Sequence, residues 1–191
     1  MATGGEVSTR IYTRTGDRGE TGLAGGVRIG KDSPRLAAYG ALDELGAFVA
    51  FARLDLPEPL RDLAPIYRRL GHELFIAQTE LARAPGHGEP EHRIEARHVE
   101  RLEREIDHFT ELAGPIHTFL LPGETSASVR AHLARTVARR AERAIVALHR
   151  QEPVRAELLQ WINRVNDLLF VLAVYAARKL GGADEPPDYS V

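Results

Sequence analysis

Apolar residues recur at three- and four-residue steps along most of the chain. From Pro34 onward, Leu36, Tyr39, Leu42, Leu45, Phe48 and Val49 form one stripe, the spacing of a helix with one packed face. Leu56 to Pro59 interrupts it. A second helix is predicted from about Leu60 to Arg83, with Leu63, Ile66, Tyr67, Leu70, Leu74 and Phe75 turned inward. The Pro- and Gly-rich stretch Ala84 to His92 reads as an exposed loop. A third helix, near Ile94 to Leu112, carries Val99, Leu102, Ile106 and Phe109 among many charges, and Gly114-Pro115 stops it. After an apolar turn, His117 to Gly123, either Thr125 or Ser126 suits the cap of a fourth helix reaching His149. Pro153 separates a fifth, from about Val154 to Leu180, closed by Gly181-Gly182. Strand signals are weak throughout. Five long helices with short connections predict an all-α, antiparallel five-helix bundle.

The first 34 residues depart from this pattern. Gly4, Gly5, Gly16, Gly19, Gly22, Gly25, Gly26 and Gly30 crowd them, and each glycine costs a helix about 1 kcal/mol relative to alanine. A disordered start, 1–9, followed by an ordered glycine-rich loop is expected. Residues 10–182 then form one domain, and 183–191, with Pro186-Pro187, a flexible tail. A length of 191 residues fits a single domain, and 43% apolar with 27% charged residues suits a soluble chain with a real core.

Charge and chemistry narrow the function classes. Lys and Arg total 25 against 27 Asp and Glu, a net charge of −2, so the chain is no strongly basic nucleic-acid binder. It has no cysteine, which excludes disulfides, thiolate metal sites and thiol catalysis. No apolar run reaches the roughly 18 residues of a membrane span, and no secretory signal opens the chain. The expectation is a cytoplasmic protein without membrane or nucleic-acid partners.

The sharpest pattern lies on the fourth helix, in Arg135-Thr-Val-Ala-Arg139-Arg140-Ala-Glu142-Arg143. With Arg135 at 0° and about 100° per residue, Arg139 falls near 40°, Arg143 near 80° and Glu142 near −20°. Val137, Ala141, Ala144 and Leu148 fall on the opposite side, and Arg140 near the boundary. One side packs while the other presents guanidinium forks, which donate paired hydrogen bonds to phosphate oxygens and stay charged. A solvated face laced with salt bridges has the same pattern.

The glycine-rich loop, Tyr12-Thr-Arg-Thr-Gly16-Asp-Arg-Gly19-Glu-Thr21-Gly22, offers backbone N–H groups, the hydroxyls of Thr13, Thr15 and Thr21, and the charges of Arg14, Arg18 and Lys31. Such a loop suits a polyphosphate, and equally a surface hairpin. Gly25 to Lys31 fits the first seven places of a Walker A motif, but Asp32 stands where Ser or Thr holds magnesium, and Gly19 to Ala24 shows no preceding strand. A standard P-loop is excluded.

Asn163, Asn166 and Asp167 are polar groups within the apolar fifth helix, either interhelical clamps or contacts to a base or ribose. The histidines form no H-E-x-x-H pair. Glu95/His98 and Glu105/His108 sit on one charged helix, whereas a di-iron site draws its pairs from two facing helices. There is no G-x-S-x-G elbow. Groups that hold a polyphosphate are present and an obvious nucleophile is not, so an enzyme of this kind takes its nucleophile from a substrate or cofactor.

Three blocks in register resemble the trimeric, helical-bundle corrinoid adenosyltransferases (ATP:cob(I)alamin adenosyltransferases). They are Tyr12 to Gly22 running through Lys31-Asp32 to Tyr39-Gly-Ala-Leu-Asp43-Glu44-Leu, then Phe119-Leu-Leu-Pro-Gly123 followed by Ala134 to Arg143, and Asn163-Arg-Val-Asn-Asp167-Leu-Leu-Phe170. The likeness spans about 10–180. It implies transfer of the 5′-deoxyadenosyl group of ATP to Co(I) of a reduced corrinoid, with triphosphate leaving. Cobalt is then the nucleophile, and the protein positions the reactants and neutralises the leaving group.

Carried over by resemblance, Thr13, Arg14, Thr15 and Gly16 open the ATP loop and Thr21, Gly22 and Lys31 continue it. Arg139, Arg140, Glu142 and Arg143 form the helical ATP-binding block, and Asn163 is a further nucleotide contact. Mg2+ is implied between triphosphate oxygens, with Glu142 nearby. Asp43 and Arg135 match a pair bridging subunits, so a homotrimer with active sites at its interfaces is implied. Phe119 matches the aromatic that displaces the corrinoid's lower axial base. Asp43, Phe119, Arg135 and Arg139 are the implied catalytic set. A reductant or flavoprotein upstream is implied, and an adenosylcobalamin-dependent enzyme is a possible recipient. The chain departs from the pattern at Gly22, Glu124, Asn166 and Val174. A binding module that delivers ATP or adenosylcobalamin without turnover, and a scaffold trimer with a solvated arginine face, are the alternatives.

Overall fold

The computed structural model describes residues 11–117, 120–123 and 125–191. Its five long helices are α1 (Pro34–Arg53), α2 (Leu63–Leu81), α3 (Ala96–Ala113), α4 (Ser126–His149) and α5 (Ala156–Lys179). A single 3-10 turn, Glu58–Leu60, precedes α2 where the sequence pattern extends the helix back to Leu60. Packing runs α2 on α1, α1 on α4, α4 on α5 and α5 on α3, so the apolar stripes close around one core.

The chemistry at each helix end explains the boundaries. Ser33 caps α1, its hydroxyl accepting the Leu36 N–H at 3.3 Å, and Pro34 at the first helical position has no N–H to leave unpaired. Thr125 rather than Ser126 caps α4, accepting the Ser128 N–H at 3.2 Å. Gly114 ends α3 at φ 81° and Gly181 follows α5 at φ 79°, a region glycine enters without a Cβ penalty.

The core of the bundle is α5. From Leu168 to Ala176 every residue except Phe170 is buried, as expected of a helix packed on more than one side. Trp161 is fully buried, and its indole N–H donates to the buried Glu73 carboxylate of α2 at 3.0 Å. Arg69 bridges Glu73 and Glu105, tying α2 to α3. Burial pushes the Glu105 carboxyl above its ordinary value, against the pull of Arg69.

Phe75 departs from the predicted stripe. It is 69% exposed, because Leu70, Leu74, Ala77 and Leu81 hold the inward line and Phe75 stands about 100° beyond Leu74.

The glycine-rich segment is a two-stranded hairpin, as one of the two readings of its composition has it, although strand signals in the sequence are weak. β1 (Glu20–Gly22) pairs antiparallel with β2 (Arg28–Gly30), with Glu20 opposite Gly30 and Gly22 opposite Arg28. A strand therefore does lie within Gly19 to Ala24, contrary to the expectation. It leads into a second antiparallel strand, and a turn at Lys31–Asp32 precedes α1.

The hairpin is pinned to the end of α2, where the Ala24 N–H donates to the Ala82 carbonyl at 3.0 Å and the Ala84 N–H to the Ala24 carbonyl at 2.9 Å. Arg35, nearly buried, locks this corner by donating to the Leu81 carbonyl at 2.6 Å and pairing with Glu152 at 2.8 Å. At the opposite terminus, the stretch after Gly182 makes two early contacts. Asp184 accepts from Arg178 Nε at 3.0 Å, and the Glu185 carbonyl accepts the Leu121 N–H at 2.8 Å.

Candidate active site

The basic face on α4 forms as the helical geometry dictates. Ala134, Val137, Ala138, Ala141, Ile145 and Leu148 are buried, while Arg139, Arg140 and Arg143 are exposed and Arg135 and Glu142 half-buried. Ala144 sits at the margin, half-buried.

Between this face and α5 lies a cleft of about 630 Å³ lined by Ile116, His117, Leu120, Arg135, Arg139, Asn166, Asp167 and Phe170. One wall is apolar, from Ile116, Leu120 and Phe170. The other carries two guanidinium groups, an amide and a carboxylate. The Arg135 guanidinium lies 5.6 Å from the centre of the Phe170 ring, within cation–π range. Burial, and then the neighbouring Arg139 charge, lower the Arg135 pKa. Burial raises the Asp167 carboxyl above its usual range, opposed by Arg164 and Arg139 and reinforced by Glu142.

Glu142 clamps the polar stretch of α5. One of its oxygens accepts the Asn163 side-chain N–H at 2.9 Å and the other that of Asn166 at 3.4 Å. Asn163 in turn accepts from Arg164 at 2.5 Å, and Arg164 donates to Glu103 at 3.0 Å. The interhelical-clamp reading of Asn163 and Asn166 is thus realised, and Asn166 also faces the cleft. Arg140 pairs with Glu44 of α1. Asp43 is exposed and, among the described residues, makes no ion pair with Arg135 inside one chain.

A second concavity, about 470 Å³, opens on the hairpin loop and is lined by Arg14, Thr15, Arg18, Glu20 and Arg28. Arg14 holds φ 59°, a left-handed conformation rare for a side chain of its size. The Thr13 and Thr15 hydroxyls are hydrogen-bonded at 2.9 Å. Arg28 donates to the Thr15 carbonyl at 2.7 Å and to Glu20 at 3.3 Å. Gly16 lets the Lys31 ammonium lie close, since a Cβ there would stand 3.1 Å from Nζ. Thr21 is half-buried within β1, and Gly22 exposed at its end.

The two concavities share no lining residue. The structure brings Arg135 and Arg139 together, and separately Arg14, Thr15 and Arg18. Arg140 and Arg143 stay outside the cleft. Thr118, Phe119 and Glu124 lie outside the described residues, so the role expected of Phe119 and the departure at Glu124 find no structural account. The sequence reading missed Arg28, which the hairpin register sets opposite Gly22 and whose only sequence signal is proximity to the glycine-rich loop. It also left Phe170 without a role, although it stands two turns from Asn163 on α5.

Among the described residues no group of three or more His, Asp or Glu side chains is placed to cage a metal ion.

Comparison with known proteins shows the family. The family model described as Cobalamin adenosyltransferase matches residues 11–176. The corrinoid adenosyltransferase of Bacillus subtilis is 37% identical over 177 residues, covering 92% of this chain and 90% of that one. The cobalamin adenosyltransferase of Cupriavidus metallidurans is 39% identical over 178 residues, covering 92% of each. The corrinoid adenosyltransferase PduO of Salmonella typhimurium is 40% identical over 164 residues, 85% of this chain, and the match spans about half (48%) of that longer protein. A variant PduO-type ATP:corrinoid adenosyltransferase from Lactobacillus reuteri, solved in complex with cobalamin and ATP, superposes with a TM-score of 0.88 at 32% identity, covering 93% of this chain and 99% of that one. With the match running from the glycine-rich loop through most of α5, this chain belongs to the cobalamin adenosyltransferase family.

Proposed function

We propose that the protein transfers the 5′-deoxyadenosyl group of ATP to the cobalt of a reduced corrinoid. The observation that carries this reading is the two-sided cleft: an apolar wall of Ile116, Leu120 and Phe170 faces the cations of Arg135 and Arg139 in one space. The apolar wall suits a large, flat macrocycle, and the cations suit the charge that develops on a departing polyphosphate. Both ATP and the corrinoid are substrates.

The electron pair of Co(I) forms the bond to C5′, the bond from C5′ to oxygen breaks, and triphosphate leaves with the electron pair of that broken bond. No protein nucleophile is required. The chain's part is positioning and charge neutralisation. Arg139, with Arg140 and Arg143 beside it on α4, meets the triphosphate. Thr13, Arg14, Thr15, Gly16, Thr21, Gly22 and Lys31 cradle it from the loop, and Asn163 contacts the nucleoside. Mg2+ bound with the nucleotide would supply further neutralisation, and Glu142 would be the carboxylate to hold it. Phe119 displaces the corrinoid's lower axial base.

The working form is a homotrimer whose active sites lie at subunit interfaces. Three observations support it. The two arginine-lined concavities of one chain share no lining residue. Asp43 and Arg135 lack each other within a chain. Exposed apolar side chains, Phe51 and Leu54 with Val129 and Leu133, cluster where α1 meets α4, held by Arg130, which donates to the Leu54 carbonyl at 2.5 Å and lies 4.9 Å over the Phe51 ring. No described helix is long and apolar enough to cross a membrane, and the protein works in the cytoplasm without nucleic acid. A reductant or flavoprotein supplies the reduced corrinoid, and an adenosylcobalamin-dependent enzyme is a fitting recipient.

The test mixes protein, magnesium-ATP and chemically reduced cobalamin without oxygen. Appearance of the adenosylcobalamin spectrum with one triphosphate per turnover is the expected result. ATP binding without triphosphate release indicates a delivery module instead, and binding of neither ligand a scaffold.

A further inference from the structure

Two buried side-chain nitrogens among the described residues have no hydrogen-bond partner, His132 Nδ1 and Arg135 Nε. They stand three residues apart on α4, the spacing at which side chains of one helical face are neighbours. Both lie beside one aromatic ring. The imidazole of His132 is 6.2 Å from the Phe170 ring and the Arg135 guanidinium 5.6 Å from it. Phe170 and Arg135 line the cleft, and His132, 5% exposed, lies behind them. Buried polar groups without partners are rare and costly, so two on adjacent turns beside a cleft require a reason.

The two atoms are chemically complementary. Arg Nε–H can only donate, whereas a neutral imidazole offers one ring nitrogen as an acceptor. Burial, and then the charge of Arg135, pull the His132 pKa down to about 4, so the ring is neutral near pH 7 and Nδ1 can accept.

We propose that His132 is a positioning residue for Arg135: when substrates fill the cleft, Nδ1 accepts the Nε–H of Arg135 and leaves the outer guanidinium N–H groups free for the anionic group Arg135 meets. Within the free chain, the guanidinium instead rests on Phe170. The substrate-bound arrangement satisfies both orphaned atoms and fixes the plane of the fork, which an aromatic face alone leaves free to slide. This inference rests on the adenosyl-transfer reading.

Three substitutions test it in the full-length protein. His132→Asn keeps an acceptor near the position of Nδ1, His132→Gln places its amide near Nε2 instead, and His132→Phe keeps the ring without an acceptor. Wild-type turnover, measured first, stands for the underlying reading: if the wild type fails, that reading fails. Given an active wild type, His132→Gln and His132→Phe should each lose about tenfold or more in kcat, the scale of one hydrogen bond to a charged group, with ATP affinity within about twofold by the same scale. His132→Asn should recover to within about threefold of wild type. The readout that a mere packing role would not move is a double-mutant cycle with Arg135→Lys, which has no Nε–H. In that background, His132→Gln should cost almost nothing more. Equal impairment of the Asn and Gln variants, or losses that multiply in the cycle, overturns the proposal. If His132→Phe does not fold, the Asn, Gln and cycle comparison decides the matter unaided.

Discussion

Arg139 is exposed on α4 one turn beyond Arg135, and both line the same cleft. A second guanidinium beside Arg135 in that cleft suits a ligand that brings negative charge. Arg139→Ala should therefore lower kcat/KM by about 100-fold or more, the usual scale for losing one transition-state donor. Arg150→Ala, at the exposed end of α4, should stay within about twofold, as surface substitutions generally do. Steady-state rates with both substrates varied would check the pair, and equal losses would remove Arg139 from the machinery. The arginine run was legible because charge on one helical face survives in the spacing alone. Asp167 was less so, because a carboxylate near Glu142 and Arg164 has the same letters whether it clamps helices or faces a cleft. The two unpartnered nitrogens of His132 and Arg135 could not be read from spacing at all, since satisfaction depends on what the fold brings near.

At the scale of elements, the helices were legible because their length lets the apolar period repeat several times. The three-residue strands were not, for a strand of that size holds no full alternation to detect. Helix ends followed local chemistry, with Thr125 chosen over Ser126 by the reach of its hydroxyl to the Ser128 N–H. What the pattern could not express is the polar seam joining α2, α3 and α5. Glu73 is 3% exposed and accepts from both Trp161 and Arg69, while Arg69 also pairs with Glu105 at the rim. Glu73→Leu leaves the indole N–H without an acceptor and half of the Arg69 charge unmatched. It should lower unfolding free energy by about 3 kcal/mol, the range for breaking a buried pair. Glu105→Gln, where Arg69 keeps Glu73, should cost about 1 kcal/mol or less. Urea midpoints at pH 7 distinguish the two, and a Glu105 variant that proves the weaker would place the seam's weight on α3 instead of α2.

The whole molecule has two arginine-lined concavities that share no lining residue within one chain. The loop is tied to the α2 end through Ala24 and the Arg35 corner, and the cleft lies between α4 and α5. A single helical sequence cannot reveal this separation, because a face that packs on a neighbouring subunit and a face in water can share one pattern of charges. Complementation between inactive chains follows directly. Asp43→Ala and Arg135→Ala each remove one half of the proposed bridge, so homotrimers of either variant should be nearly inactive. When the two variants are coexpressed in equal amounts and assemble at random, an interface is intact if its Asp43 comes from an Arg135→Ala chain and its Arg135 from an Asp43→Ala chain. That combination occurs in about one quarter of interfaces of a cyclic trimer. Coexpressed protein should therefore recover about a quarter of wild-type activity per site, and simple mixing of preformed trimers should recover much less. Bridging within a chain allows no recovery under either protocol, since every chain then lacks one partner.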